Sequence, residues 1–222
     1  MCGICGVRNF KDDVINERVL QAMNQSIAHR GPDGAGVHLA PGIGLAMRRL
    51  SIVDLVTGDQ PIYNEDRSAV IIYNGEIYNH LDLRARLEAL GHVYRTHADT
   101  ESILHAYDQY GVECVTHLRG MFGLAIWDEK TKTLLLARDR LGEKPLYYAR
   151  LDHELIFASE IKALLQHPRL TPDVDEQALD LYLTLGYVPA PHTMFKGISK
   201  LPPAHRLIAR DSKIIVEPYW DV

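Results

Sequence analysis

The stretch MFGLAIWD-EKTKT-LLLARD, residues 121–139, constrains the fold more than any other part of the chain. It reads as two strongly apolar strands around a polar turn, a hairpin that must be covered rather than left in water. Other short apolar runs separated by turn residues read as further strands: residues 4–10 (ICGVRNF), Val37–Leu39, Gly44–Met47, Val70–Tyr73, and the pair LYYA and ELIFA. Val14, Val19, Leu20, Met23 and Ile27 recur at helical spacing and predict an amphipathic helix over about residues 14–29, stopped by the breaker cluster HRGPDG. Leu81, Leu83, Leu87 and Leu90 predict a second helix closed by Gly91. A third runs from about Thr100 to Tyr110, closed by Gly111, and SEIKALLQH begins a fourth. Strands, then helices, then strands give an α+β class with mostly antiparallel sheets covered by helices.

Composition narrows the function classes. The 222 residues are 46% hydrophobic and 24% charged, with a net charge of −5, which is globular composition with enough chain for one large core or two smaller ones. No dense Lys/Arg run is present, so no nucleic-acid partner is expected. No apolar run approaches membrane-spanning length and no secretory signal pattern opens the chain, so no membrane association is expected either. Three cysteines are too few, and odd in number, for a disulfide framework. A cytoplasmic, reducing location is the default. Seven of the eleven prolines fall from Pro168 onward. Residues 2–168 read as one domain. Residues 169–222 read as its extension, one helix over Asp175–Leu185 and then extended segments joined by turns, leading toward a further domain absent from this chain.

The opening MCGICG admits several chemistries. A zinc corner from Cys2 and Cys5 needs a second ligand pair, and only Cys114 and scattered histidines remain. A redox pair belongs between a strand and a helix of a βαβ unit, not at the start of the chain. Cys5 reads as a small core residue. Cys2 offers a third chemistry. A free cysteine has a pKa of ~8.5 and an α-amine one of ~7.7–8.0. Once Met1 is removed, Cys2 would therefore supply nucleophile and general base together, with Gly3 leaving room for substrate against the backbone. Taken alone, the position reads equally well as an inert exposed thiol.

Three stretches weight that choice. RRLSIVD, residues 48–54, sets two arginines against an apolar run; they decorate a strand edge, or one of them holds a carboxylate. YNGEIYNH, residues 73–80, carries Asn74-Gly75, a hairpin-turn signal. The same pair could instead supply a side-chain amide and a backbone N–H as an oxyanion hole, with Glu76 placed to accept from an ammonium. HADTE, residues 97–101, offers Asp99 as a helix N-cap or as a second acid for that ammonium. A carboxylate clamp, two acids, an oxyanion hole and a thiol together match an α-amino acid with a reactive side-chain carbonyl, and glutamine is the natural candidate.

These motifs, with HRGPDG at 29–34, RDRLGEKPLYY at 138–148 and SEIKAL at 159–164, resemble the glutaminase domain of glutamine-dependent asparagine synthetases, which are class II amidotransferases. The resemblance covers essentially the whole chain. It implies a four-layer αββα sandwich of two mostly antiparallel sheets, the fold of the N-terminal-nucleophile hydrolases. It implies catalysis by Cys2, with Asn74 and Gly75 stabilising the oxyanion. Arg49 would hold the glutamine α-carboxylate, Leu50, Ser51, Ile52 and Val53 would line the pocket, and Glu76 and Asp99 would receive the α-ammonium. The implied activity is hydrolysis of L-glutamine to glutamate and ammonia, with the ammonia passed to an ATP-dependent synthetase domain. No cofactor or metal is expected in this chain; ATP and Mg²⁺ belong to the absent synthetase domain. A homodimer is compatible with the resemblance. Two readings stay beside it: an amidotransferase with an acceptor other than aspartate, and a non-catalytic glutamine-binding module. The chain departs from the family at Ala46-Met47, where Gly-His is frequent, and at Pro203-Ala204, where Pro-Gly is common.

Overall fold

The structure, a computed structural model, describes residues 1–51 and 58–221. Among these residues two six-stranded antiparallel sheets form. One contains β1 (Gly3–Asn9), β2 (Gly34–Ala40), β3 (Ile43–Arg49), β8 (Tyr147–Leu151), β9 (Glu154–Ala158) and β10 (Ser199–Lys200), in the order β10-β8-β9-β1-β3-β2. The other contains β4 (Ile62–Tyr63), β5 (Ala69–Ile77), β6 (Gly120–Asp128), β7 (Thr133–Arg138), β11 (His205–Arg210) and β12 (Lys213–Pro218), in the order β12-β11-β7-β6-β5-β4. The helices are α1 (Glu17–Ser26), α2 (His80–Ala89), α3 (Asp99–Tyr110), the single turn α4 (Ile161–Leu164) and α5 (Glu176–Leu185).

Period-2 alternation sorts the strand side chains into layers. Ile4, Ile43, Leu45 and Met47 of the first sheet meet Val70, Ile72, Ala125, Trp127, Leu134 and Leu136 of the second in a core between the sheets. The alternate residues face outward. Cys5, Val7 and Ala46 pack under α1 and α4. Ile71, Tyr73, Leu124, Ile126 and Leu135 pack under α2 and α3. The result is an α+β, four-layer αββα sandwich. Burial on both faces explains why the 121–139 hairpin is apolar throughout, and each such buried side chain contributes about 1.5–3 kcal/mol. The tail belongs to this architecture: β10 pairs with β8, and β11 adds to the free edge of β7.

Several elements differ from their sequence signals. Helix α1 begins at Glu17 because the Asn16 side chain caps the Arg18 N–H, which leaves Val14 in solvent. Asn74-Gly75 is not a turn. It lies inside β5, paired through nine registered positions with β6. A Cβ on Gly75 would come within 2.1 Å of the Met121 carbonyl oxygen, so this close strand approach, not a turn, requires the glycine. Ala46 and Met47 are fully buried, one on each side of their sheet, where they fill core volume.

Candidate active site

The site sits at the open end of the space between the sheets. Cys2 precedes β1 and shares a face with Ile4; Asn74 shares a face with Ile72 on β5. Both therefore turn toward the interlayer from opposite sheets. A cavity of about 100 Å³ lies there, room for a small solute. Cys2, Arg49, Leu50, Asn74, Gly75, Glu76 and Asp99 all line it, so a single wall collects residues spread over a hundred positions. Ser51 stands outside the lining, and Ile52 and Val53 lie outside the described residues.

The half-buried Cys2 thiol is held by one peptide unit. Its Sγ lies 3.4 Å from the donating Leu50 N–H and 3.6 Å from the accepting Leu50 carbonyl. An N–H aimed at sulfur is a favourable partner when that sulfur carries negative charge. The Cys2 carbonyl accepts from Arg30 Nε at 2.9 Å, and Arg30 is fixed in turn by Glu160 at 2.9 Å. The two remaining thiols are different. Burial pushes Cys5 far up and Cys114 up to about 12, which leaves both inert. Cys5 faces α1 across the sheet from Cys2, so the pair cannot form a metal corner.

The Asn74 side chain is 1% exposed, and its amide nitrogen has no hydrogen-bond partner among the described residues. A buried donor left unmade costs about 1–3 kcal/mol, so an orphan in a cavity wall marks a place for a ligand oxygen. On the far side, Asp99 opens α3 at its first helical residue. Ala98 occupies the cap position. The Asp99 carboxylate reaches back to β5, where Oδ2 accepts from Tyr73 Oη at 3.0 Å and from the Ile77 N–H at 2.9 Å. Burial, and then the adjacent Asp99 charge, push the Tyr73 hydroxyl well above its usual range, so it remains a donor. Both bonds fall on Oδ2, which leaves Oδ1 to a ligand.

The two arginines of RRLSIVD separate by alternation. Arg48 turns toward α1, bonding the Asn24 carbonyl and Gln25. Arg49 turns into the cavity and pairs with Asp59, a side chain 83% exposed. The HRGPDG loop braces this strand end. A Cβ on Gly31 would meet the Arg48 carbonyl carbon at 2.3 Å, the Asp33 N–H donates to the Arg49 carbonyl, and the Ser51 N–H donates to Asp33 Oδ2 at 2.8 Å.

Sequence reasoning gave no role to Tyr73, Arg30, Gln60, Met121 or Lys144, although four of them line the cavity and Arg30 braces it. Their signal was present, since Arg30, Tyr73 and Lys144 belong to the quoted motifs. Lys144 is buried with Nζ 2.9 Å from Met121 Sδ, and no carboxylate pairs with it among the described residues. The RDRLGEK motif is a brace: buried Asp139 accepts from the N–H groups of Phe122, Leu141, Glu143 and Lys144. Arg138 ties down the carbonyls of Gly142, Lys144 and Leu201.

Comparison with known proteins adds three findings. A family model described as a glutamine amidotransferase domain matches residues 1–220. The Bacillus subtilis protein "Asparagine synthetase [glutamine-hydrolyzing] 3" is 40% identical over 227 residues, covering 100% of this chain and 37% of its own length. "Asparagine synthetase [glutamine-hydrolyzing] 2" of Oryza sativa is 44% identical over 166 residues, 74% of this chain and 28% of its own. The chain thus spans about a third of the length of these relatives. Among solved structures, the glutamine phosphoribosylpyrophosphate amidotransferase from B. subtilis superposes with TM-score 0.70 at 18% identity, covering 99% of this chain and 49% of that one, which establishes a shared fold. By the family match, which runs nearly end to end, this chain belongs to the class II glutamine amidotransferase domains.

Proposed function

We propose that the chain hydrolyses L-glutamine to glutamate and ammonia through a thioester on Cys2, and that the ammonia is destined for an ATP-dependent synthetase domain making asparagine. The observation that carries this reading is the cavity lined from opposite sheets by the Cys2 thiol and by the Asn74 amide, whose nitrogen has no partner among the described residues. Arg49, Glu76 and Asp99 supply the charges a free amino acid needs. With Met1 removed, the Cys2 amine takes the thiol proton and the sulfur attacks the side-chain carbonyl carbon. The oxyanion that forms accepts from Asn74 and the Gly75 backbone, a contribution typically of 10²–10³ in rate per donor. The buried Lys144 adds positive potential to the same wall. The amine returns its proton to the leaving ammonia, and water then cleaves the thioester. The glutamine α-carboxylate replaces Asp59 on Arg49, and the α-ammonium lies against Asp99 Oδ1 and Glu76.

The names of the relatives and the tail support the acceptor. Helix α5 buries Ala178 but exposes Leu179, Tyr182, Leu183 and Leu185, with exposed Tyr187 beyond, an apolar surface suited to a partner domain. ATP and Mg²⁺ would bind in that domain. Three free thiols fit a reducing, cytoplasmic compartment, and among the described residues no helix is long and apolar enough to cross a membrane.

An electrophilic glutamine analogue tests the reading. One equivalent should attach at Cys2, with Met1 absent by mass and Cys5 and Cys114 unmodified in the native chain. Retained Met1 with glutamine bound but no labelling would replace this reading with a non-catalytic binding module.

A further inference from the structure

Helix α3 carries a second cluster, remote from the thiol. His105 lies six residues after Asp99, about 9 Å along the helix axis. Its side chain is 2% exposed and neither ring nitrogen has a hydrogen-bond partner among the described residues. Packing explains the ring's position, since Tyr94 and His92 flank it at 4.5 and 5.0 Å between centroids. It gives neither nitrogen a hydrogen bond, although a carboxylate oxygen stands 3.8 Å from Nδ1 and another 3.6 Å from Nε2. His105 Nδ1 lies 3.8 Å from Glu65 Oε1, and His92 Nδ1 lies 3.6 Å from the same oxygen. Ligand atoms of Glu65, His92 and His105 all fall within 4.8 Å of one another. A tetrahedral ion with bonds of about 2.1 Å sets its ligands about 3.4 Å apart, so small side-chain movements close this set.

We propose that Glu65, His92 and His105 form a binding site for a divalent transition metal of the Zn²⁺ class, with water completing the coordination. Two imidazoles and a carboxylate suit Zn²⁺ and its neighbours; Ca²⁺ and Mg²⁺ take oxygen sets. The outer groups have the arrangement metal-bound histidines require. With both Nδ1 atoms on the ion, His92 Nε2 faces Gln109 Oε1 at 3.4 Å and His105 Nε2 faces Glu101 Oε1 at 3.6 Å. Glu101 is itself fixed by the N–H groups of Arg95 and Thr96 and by the Thr96 hydroxyl. Glu65 is positioned by the Val93 N–H at 3.0 Å and remains open to solvent, which gives an ion its route in. The site joins three segments: the turn after β4, the α2–α3 connection and α3. Its role is to pin the helix that presents Asp99, and no step of the thiol chemistry passes through it. This proposal stands against the expectation that the chain holds no metal. The site does not depend on the glutaminase reading.

The test uses the full chain stripped with a chelator, carrying Cys2→Ala so that the terminal thiol and amine cannot chelate. Titration with Zn²⁺ by calorimetry should give one equivalent and a raised Tm, and Co²⁺ should give the visible absorption of a low-coordinate ion. His92→Ala, which removes a ligand outside the core, should abolish stoichiometric binding while leaving the chain folded. Gln109→Ala should weaken binding about 10–100-fold. Absence of stoichiometric Zn²⁺ binding to the folded chain, or binding unchanged in His92→Ala, would overturn the proposal and leave His105 as an imidazole between two carboxylates.

Discussion

Asn74→Ala separates a catalytic amide from a structural one, because the two roles predict opposite signs in two assays. The side chain is fully buried and its nitrogen is unpaired among the described residues. Folding therefore carries the cost of that donor, about 1–3 kcal/mol. Truncation removes the cost and opens its space into an existing cavity instead of sealing a new void, so the usual large-to-small penalty is mostly avoided. Stability should stay level or rise by up to about 1 kcal/mol. The reaction loses a donor used only when the carbonyl oxygen becomes an oxyanion. The expected loss is 10²–10³, about 2.7–4 kcal/mol of transition-state stabilisation, falling equally on kcat and kcat/KM with KM little changed. Glutamate release under saturating glutamine gives the first number and urea unfolding the second. A variant that unfolds more than about 1 kcal/mol more readily yet keeps its rate would refute the reasoning and make Asn74 a packing residue.

Other consequences follow from particular contacts. Asp59→Asn removes the exposed carboxylate that competes for Arg49; KM for glutamine should fall with kcat unchanged, and a higher KM would show that Asp59 orients Arg49 rather than competing for it. His167 first, then Arg169 and Asn9, hold Glu154 down to about 2 against its burial. A carboxyl depressed when folded contributes stability fully above its unfolded pKa of about 4.3, and loses it as pH falls toward 2. Glu154→Gln should therefore lower stability by about 1–2 kcal/mol at pH 7, a gap in thermal unfolding that narrows steadily below about pH 5. Ala204 sits at φ +58, in the left-handed region that favours glycine. Ala204→Gly should raise stability by about 0.5–1 kcal/mol, the left-handed penalty of about 1–2 kcal/mol less the entropy glycine loses on folding, measured by urea midpoint.

The layers were legible because burial on two faces leaves strands apolar throughout, and because helices advertise their ends. Gly91 and Gly111 close α2 and α3 with positive φ, and Asp175 caps α5 through the N–H groups of Gln177 and Ala178. Local signals failed where a distant strand outbid them. Asn74-Gly75 has turn chemistry, yet the β5–β6 ladder runs through it and uses the glycine to let Met121 approach. Asp99 has cap chemistry, yet Tyr73 and Ile77 claim its carboxylate. The motifs around 30, 139 and 160 named the right residues without their jobs, because a brace such as Asp139 on four N–H groups is defined only by the folded loop. Glu65, His92 and His105 could not be grouped beforehand, since they come from three segments at no recognisable metal spacing.

The same geometry explains why the site occurs where it does. Nucleophile and oxyanion donor belong to different sheets; His38 on β2 and Tyr63 on β4 share a hydrogen bond of 3.1 Å at the sheets' outer edge, and between Cys2 and Asn74 the spacing is set by packing. Ile4 lies two residues after Cys2 and Ile72 two before Asn74, and both belong to the interlayer core. The side chains that hold the sheets apart therefore also set the distance from sulfur to amide. Close-packed interiors transmit small volume changes as displacements, and catalysis tolerates misplacement poorly, about 10²-fold per ångström. The interlayer core thus acts on the rate through spacing as well as on stability through burial. The helix-side cores reach the site through Tyr73, Ala98 and Asp99, which line the cavity, and through Arg30, which holds the Cys2 carbonyl.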